Sequence, residues 1–575
     1  MTRTRLLLAA ALIAGTATAI NMYTPKTAPV ARTAAKEMAA PTVADKVEQF
    51  AVSRSLSGNY LSSRFAQRQL DWASAQQYID NVLSYDGDNQ SLNERAFLLS
   101  LGAKEYKRAK VLAEKLLVTE KGSDLAYIFL TADALSRDDF TGAMTFVEKL
   151  PEDGFGQYTK PLLTAWTLAG MGRTEEALSG LRAHSRPTDP TYNTHAGLIE
   201  EMAGHTEQAG KYYQTAMTAG LTLNGAVIAA RFFDRTGKKE EADKIYARLK
   251  SIYPFNTFGK GADKQANITR ASEGAGIALL DLATLLYERR AYDSAQVYGS
   301  LVQLLYPSSA FAAMMMGDIA ALNSQPDKAL ESYNSISKDS PIYWFSRMRV
   351  AAIDEERGDK TAAEELLKDL AKTPETTVPA LVTLGDLYRR SDRYPDAVRV
   401  YTEALAVKNP DTEQNSNILY ARGMAYERMN DWEKAEKDLS EALKVQPDNP
   451  QILNFLGYTW VEKGINLDQA LAYTKRAAEL RPADGYILDS YGWALYQTGN
   501  RRDAVTWLER AVEEVPDDSV ILDHLADAYW HIGRTNEARF KWKRAVELSK
   551  DKAFQDTLQK KILHGITDTP KMSAH

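Results

Sequence analysis

Residues 451–545 read QILNFLGYTWVEKGINLDQALAYTKRAAELRPADGYILDSYGWALYQTGNRRDAVTWLERAVEEVPDDSVILDHLADAYWHIGRTNEARFKWKRA, and this stretch decides the fold. It holds three consecutive copies of one helix-turn-helix pattern: Leu456-Gly457-Tyr458 with Ala470, Ala477 and Pro482; Tyr491-Gly492-Trp493 with Ala504, Ala511 and Pro516; Leu525-Ala526-Asp527 with Ala538 and Ala545. Each copy sets a small residue in a first helix, an alanine 12 or 13 positions later in a second helix, and another alanine seven beyond that. Antiparallel helices pack closely only where the side chains at their crossing are small, and a proline after the second helix prevents its continuation. The pattern specifies a stacking unit and carries no catalytic chemistry.

Outward from that stretch the second-helix alanine sets a register: Ala75, Ala109, Ala143, Ala177, Ala209, Ala242, Ala295, Ala329, Ala363, Ala397, Ala435, Ala470, Ala504 and Ala538. The spacings are 34, 34, 34, 32, 33, 53, 34, 34, 34, 38, 35, 34 and 34 residues. A single interval of this kind means little for so common a residue, but eight equal intervals sharing one local grammar mean a repeat. Twelve positions before the alanine most copies hold Gly or Ala, while the first three hold Ser63, Phe97 and Thr131. This resembles the tetratricopeptide repeat (TPR). The fold expected is therefore all-α, a right-handed TPR solenoid of 14 repeats, which grows by stacking and not by enlarging one core.

The ends and interruptions of the array give the remaining organisation. Arg3 and Arg5, the apolar run Leu6 to Gly15 and Ala17-Thr18-Ala19 have the form of a signal peptide over residues 1–19, cleaved after Ala19. An uncleaved anchor is the rival reading, but Leu6 to Ile20 is shorter than the roughly 20 apolar residues of a spanning helix. The absence of cysteine removes the lipidation site of a lipoprotein, together with disulfides and thiolate chemistry. Residues 20–50, rich in Ala, Thr, Lys and Pro, read as a flexible linker. Repeats then occupy 51–250, 272–410 and 411–550. The connector 251–271 reads as a hinge between sub-solenoids, with a binding loop as the alternative. Residues 551–575 read as a capping helix and tail.

Charge and motifs exclude several chemistries. With 70 basic against 76 acidic residues, interspersed to a net charge of −6, the chain lacks the basic excess that phosphate backbones attract, and nucleic acid is not an expected partner. No phosphate-binding loop, zinc-protease helix or nucleophile elbow occurs. His524, Asp527 and His531 share one helical face at zinc-compatible spacing, but they also lie on an inward helix, where polar residues line a groove. The expectation is a non-enzyme with no metal and no cofactor.

In stacked repeats the first helices line the concave side, so side chains there that packing does not require are free to bind. Projected onto the last four repeats, these are Asn417, Tyr420 and Arg428; Gln451, Asn454 and Tyr458; Tyr486, Asp489, Trp493 and Tyr496; and Asp523, Asp527, Trp530 and His531. Amides that satisfy a peptide backbone, rigid aromatics and carboxylates suited to basic segments make this an expected surface for an extended peptide. For Tyr458, Trp493 and Trp530 a packing role between neighbouring helices is equally open.

The motifs Leu456-Gly457-Tyr458, Asp489-Ser490-Tyr491-Gly492-Trp493, Asp523-His524-Leu525 and Ala538-Arg539-Phe540-Lys541-Trp542 resemble a family of exported bacterial TPR proteins. In it, LbcA-type and, more loosely, NlpI-type members are adaptors of periplasmic carboxyl-terminal processing proteases. The resemblance implies a periplasmic scaffold, peripherally membrane-associated or free, whose partners are a processing protease and cell-wall hydrolases. The alternative is a binding module in outer-membrane biogenesis or polysaccharide export.

Overall fold

The computed structural model of the protein describes residues 55–118, 123–154, 156–184, 186, 189–252, 267–407 and 412–566. The expected signal peptide and linker, most of the connector and the tail beyond residue 566 lie outside the described residues. All regular structure among the described residues is α-helical, and none of these helices is long and apolar enough to cross a membrane.

The chain divides into two compact units, one up to Thr376 and one from Thr377 onward. In the first, six helix pairs precede the connector: α1 (Leu56–Arg68) and α2 (Trp72–Leu83), α3 (Gln90–Gly102) and α4 (Tyr106–Leu117), α5 (Asp124–Ser136) and α6 (Phe140–Val147), α7 (Gly156–Gly170) and α8 (Thr174–His184), α9 (Pro190–Met202) and α10 (Thr206–Ala219), α11 (Leu223–Arg235) and α12 (Lys239–Ile252). Three pairs follow it: α13 (Ala271–Glu288) and α14 (Tyr292–Leu305), α15 (Ala310–Leu322) and α16 (Pro326–Asn334), α17 (Tyr343–Glu356) and α18 (Lys360–Leu370). The second unit has five: α19 (Thr377–Arg390) and α20 (Tyr394–Ala406), α21 (Thr412–Arg428) and α22 (Trp432–Val445), α23 (Pro450–Lys463) and α24 (Leu467–Leu480), α25 (Gly485–Gln497) and α26 (Arg501–Glu514), α27 (Ser519–His531) and α28 (Thr535–Leu548). A single helix, α29 (Lys552–His564), ends it. Each pair contains one alanine of the register, and the fold is the TPR solenoid expected.

Local chemistry sets these boundaries. Asn449, Asp484, Asp518 and Asp551 each accept hydrogen bonds from first-turn amides of α23, α25, α27 and α29, satisfying donors a helix start leaves open. The turn inside each pair needs one residue at left-handed φ, glycine at Gly172 and Gly499 but Lys104, Arg290 and Ser324 elsewhere, with φ of 60°, 60° and 56°. The tertiary turn overrides the preference of these non-glycine residues.

The core is the line of crossings. All fourteen register alanines are buried, none more than 1 % exposed. Opposite the small residue of the first helix stands a large one sixteen positions later. A Cβ on Gly317 would lie 2.4 Å from the ring of Tyr333, on Gly385 2.4 Å from Tyr401, and on Gly197 2.7 Å from Tyr213. The phenol tips then reach acids on the first helix: Tyr333 donates to Asp318 at 2.6 Å, Tyr401 to Asp386 at 2.6 Å and Tyr213 to Glu201 at 2.9 Å. Ser63, at the weaker small position of the first repeat, hydrogen-bonds the Ala75 carbonyl at 2.8 Å and so joins the two helices directly.

The two sides of the connector belong to one unit. Helix α13 packs on the first helices α5, α7 and α9, and α14 packs on α3 and α5. Gly274 lies so close to Trp166 of α7 that a Cβ there would sit 2.3 Å from the indole. Polar ties fix the placement: Asn267 donates to Glu201 and to the Ile228 carbonyl, both on the earlier pairs, at 3.1 and 3.0 Å. Arg270 reaches Asp138 at 2.8 Å, and the Tyr106 hydroxyl donates to the Ser300 carbonyl at 2.8 Å. The segment expected to act as a hinge thus leads into helices laid across the first-helix face of the earlier pairs.

Because the glycine is required by its facing ring, Gly385→Ala should destabilise the second unit by about 1–3 kcal/mol despite alanine's higher helix propensity. Urea unfolding of the single variants and of Gly385→Ala with Tyr401→Leu should show the two losses to be non-additive, the smaller leucine relieving the clash.

Candidate functional site

In the second unit, residues one repeat apart stack into columns along the first helices α21, α23, α25 and α27. Asn417, Gln451 and Tyr486 form one column; Tyr420, Asn454, Asp489 and Asp523 a second; Tyr458, Trp493 and Asp527 a third. The columns differ in burial from end to end. At the α21–α23 end Asn417 and Arg428 are exposed, and Gln451, Asn454, Tyr458 and Tyr486 are half-buried. Toward α27, Asp489, Trp493, Tyr496, Asp523 and Asp527 are buried.

The buried end is a continuous network. Trp493 donates its indole N–H to Glu462 at 2.7 Å and is stacked between Tyr496, 4.8 Å between centroids, and His524, 4.0 Å. His524 Nδ1 lies 3.0 Å from both carboxylate oxygens of Asp489. The Tyr496 hydroxyl is 2.9 Å from His531 Nδ1. From α29, Lys561 donates to both oxygens of Asp523, at 2.7 and 2.9 Å, and to both of Asp527, at 2.9 and 2.8 Å. Trp542 adds an indole N–H to Asp527 at 3.0 Å. Trp530, half-buried, lies under the turn at Gly565, where a Cβ would fall 1.9 Å from its ring.

These contacts set the charges. Burial works against the charge of His524, but the adjoining Asp489, then Asp523 and Asp527, outweigh it and push its pKa up to about 9. Asp527 is pushed up to about 7, first by burial and then by the charge of Asp523, against the pull of Lys561. Two carboxylates share one ammonium, so the pocket holds an excess negative charge that a proton on Asp527 relieves. The helical spacing of His524, Asp527 and His531 does not assemble a zinc site: the three side chains turn to Asp489, to Lys561 and Trp542, and to Tyr496. Among the described residues no group of three ligating side chains could hold a metal.

The solvent-facing end has a different character. Asn417 Oδ1 accepts from Gln446 at 2.9 Å, and Tyr420 is buried edge-on to Phe455, 6.0 Å between centroids. Asn454 Oδ1 is a buried acceptor with no hydrogen-bond partner, and Gln451 stands one turn before it. Burial, then Asp518 and Asp484, raises the pKa of Tyr486. Chemically, this end leaves the Asn454 side-chain oxygen without a partner, whereas the α25–α27 end spends its polar groups on the protein itself.

Lys561, Glu462 and the structural role of His524 do not stand out among the projected residues. Lys561 had a signal: it lies 34 positions after Asp527, in the column of Tyr458, Trp493 and Asp527. Helix α29 therefore stands where the first helix of a further pair would, and continuing the register one period past Asp527 finds its lysine.

Residues 376–448 match one tetratricopeptide-repeat family model, and residues 420–485 and 491–551 match a second. The TPR repeat-containing protein PA4667 of Pseudomonas aeruginosa is 27 % identical over 189 residues, which are 33 % of this chain and 31 % of that protein. The match thus spans about a third of the length of this curated relative. Among solved structures, MamA AMB-1 is 24 % identical, covering 29 % of this chain and 96 % of its own, with a TM-score of 0.26. YrrB, described as a TPR protein with an unusual peptide-binding site, is 19 % identical over 32 % of this chain and 91 % of its own, TM-score 0.26. The APC/C hetero-tetramer Cut9-Hcn1 is 14 % identical, covering 89 % and 96 %, TM-score 0.37.

Removing the ammonium strands two buried carboxylates, so Lys561→Met should destabilise the C-terminal pairs by about 3–5 kcal/mol. A raised carboxylate pKa gives stability present at low pH and lost as pH rises through the folded value, here about 7 for Asp527. The Lys561→Met defect, followed by thermal melting, should accordingly be larger at pH 8 than at pH 5. By the same sign, the contribution of His524 is complete below its ordinary value of 6.5 and lost through about 9. His524→Gln should therefore lower the melting temperature at pH 6 and have little effect at pH 10.

Proposed function

We propose that this tetratricopeptide-repeat protein is a non-catalytic scaffold that holds a protein or extended peptide along the first-helix face of α21, α23 and α25. Asn454 carries this reading: a buried amide oxygen without a partner, set in columns of half-buried amide and phenol groups, is the group a ligand's backbone N–H would satisfy. The first unit supports it by contrast, since α13 and α14 cover its corresponding face. Within the second unit, the helix on that face is α29, at the α27 end.

The apolar leader of residues 1–19, the absence of cysteine and the family resemblance favour a periplasmic setting in envelope or peptidoglycan maintenance. There the scaffold would present cell-wall hydrolases to a carboxyl-terminal processing protease. The groove supplies positioning, and cleavage belongs to the partner.

The test is affinity capture from envelope extract with the exported chain as bait, followed by binding measurements on the proteins recovered. Asn454→Ala with Tyr486→Ala should weaken partner binding about tenfold or more while shifting the helical melt by little. Trp493→Ala, in contrast, should cost about 3–5 kcal/mol of stability, as expected for a large buried aromatic. Recovery of neither a protease nor a wall enzyme would overturn the adaptor role. Undiminished binding by the double variant would move the binding surface elsewhere.

A further inference from the structure

We propose that the cleft where α10, α11 and α12 converge binds the acyl chain of a single-chain anionic amphiphile, a fatty acid carboxylate. The cleft offers about 80 Å³ of space and is partly open to solvent. Its walls are apolar: Met217 from α10, Leu223 and Ala226 from α11, and Ile245, Leu249 and Ile252 from α12. Thr222 is the one uncharged polar side chain among the lining residues, and its hydroxyl already accepts from the Gly225 amide at 3.1 Å.

The rim supplies the head-group chemistry. Lys244 and Arg248 line the same cleft and are exposed. Four residues apart on α12, they project on one side of the helix. Lys244 shares its charge with exposed Glu240 at 2.9 Å, a weak pair in water, and Arg248 has no ion-pair partner among the described residues. Two cations at the edge of an apolar slot complement a carboxylate on a hydrocarbon tail: the tail leaves water while the charged head stays at the solvent boundary. The site shares no residue with the proposed peptide-binding face, so it stands or falls independently of the scaffold function.

Isothermal titration of the full chain with octanoate, decanoate and dodecanoate, below micelle-forming concentrations, tests the assignment. Saturable one-to-one binding is expected, strengthening roughly fourfold per added methylene until the slot is filled. Dodecyltrimethylammonium, of equal chain length and opposite charge, should bind at least tenfold more weakly. Arg248→Glu, at an exposed position that leaves the fold intact, should weaken dodecanoate at least tenfold, and Ala226→Trp should abolish binding by filling the slot. Equal affinity for the cationic amphiphile, or an undiminished affinity in Arg248→Glu, would overturn the proposal. So would binding to phosphatidylglycerol vesicles without binding to free dodecanoate.

Discussion

The close crossing of two helices, a small residue under a large one, is the constraint from which the rest of this structure follows. A glycine on the first helix lets an aromatic from the second lie flat against its backbone, and the helices then approach closely enough to bury the register alanine completely. The buried ring brings a phenol or indole with it, and that polar tip must be satisfied. At Tyr213, Tyr333, Tyr401 and Trp542 the solution is the same: a carboxylate one or four residues past the small position accepts it. The acids at Glu201, Asp318 and Asp527 are thereby drawn into the interior, where they require cations. Arg235, Arg349 and Lys561 answer that demand. The ion pairs follow from the packing; the packing does not depend on them for its attraction, since buried pairs of this kind yield little net stability.

The same logic separates the two units. In the first, the face opposite the crossings is covered by the protein's own helices, with Gly274 again providing the close approach, this time to Trp166. In the second, the face is tied together by side chains at one end and left with an unsatisfied amide at the other. On the function proposed above, stability and recognition fall to neighbouring stretches of one repeated surface. The acidic end is rigidified by stacking and charge, which fixes the columns on which the amide end depends for its geometry.

The alanine register made the repeat number and the helix pairing legible from sequence, because the period is enforced by contacts within 16 residues of each small position. Placement of α13 and α14 was not legible. The pairing of Gly274 with Trp166 joins residues more than 100 positions apart, and neither residue differs in kind from those in ordinary crossings. Of the candidate groove residues, Asn417 is exposed, Gln451, Asn454 and Tyr486 are half-buried, and the Asn454 side-chain oxygen has no partner. Asp489 and Asp523 occupy the offset of Asn454 but turn to His524 and to Lys561, while Trp493 stacks on Tyr496 and His524. Helical offset fixes the face a residue occupies; what else shares that face is fixed by the next repeat and, at the array's end, by α29.

Ordinary solenoids are local objects in which each repeat touches only its neighbours. The bond between Tyr106 and Ser300 spans 194 residues, and it gives this chain a history as well as a shape. During synthesis at roughly 5–20 residues per second, the first helices up to α9 are complete about 100 residues before α14 emerges. For roughly 5–20 s, on that rate, the nascent chain carries an uncovered groove that the finished protein lacks. Whatever attends the newborn chain in that interval meets a different surface from the one the mature fold presents.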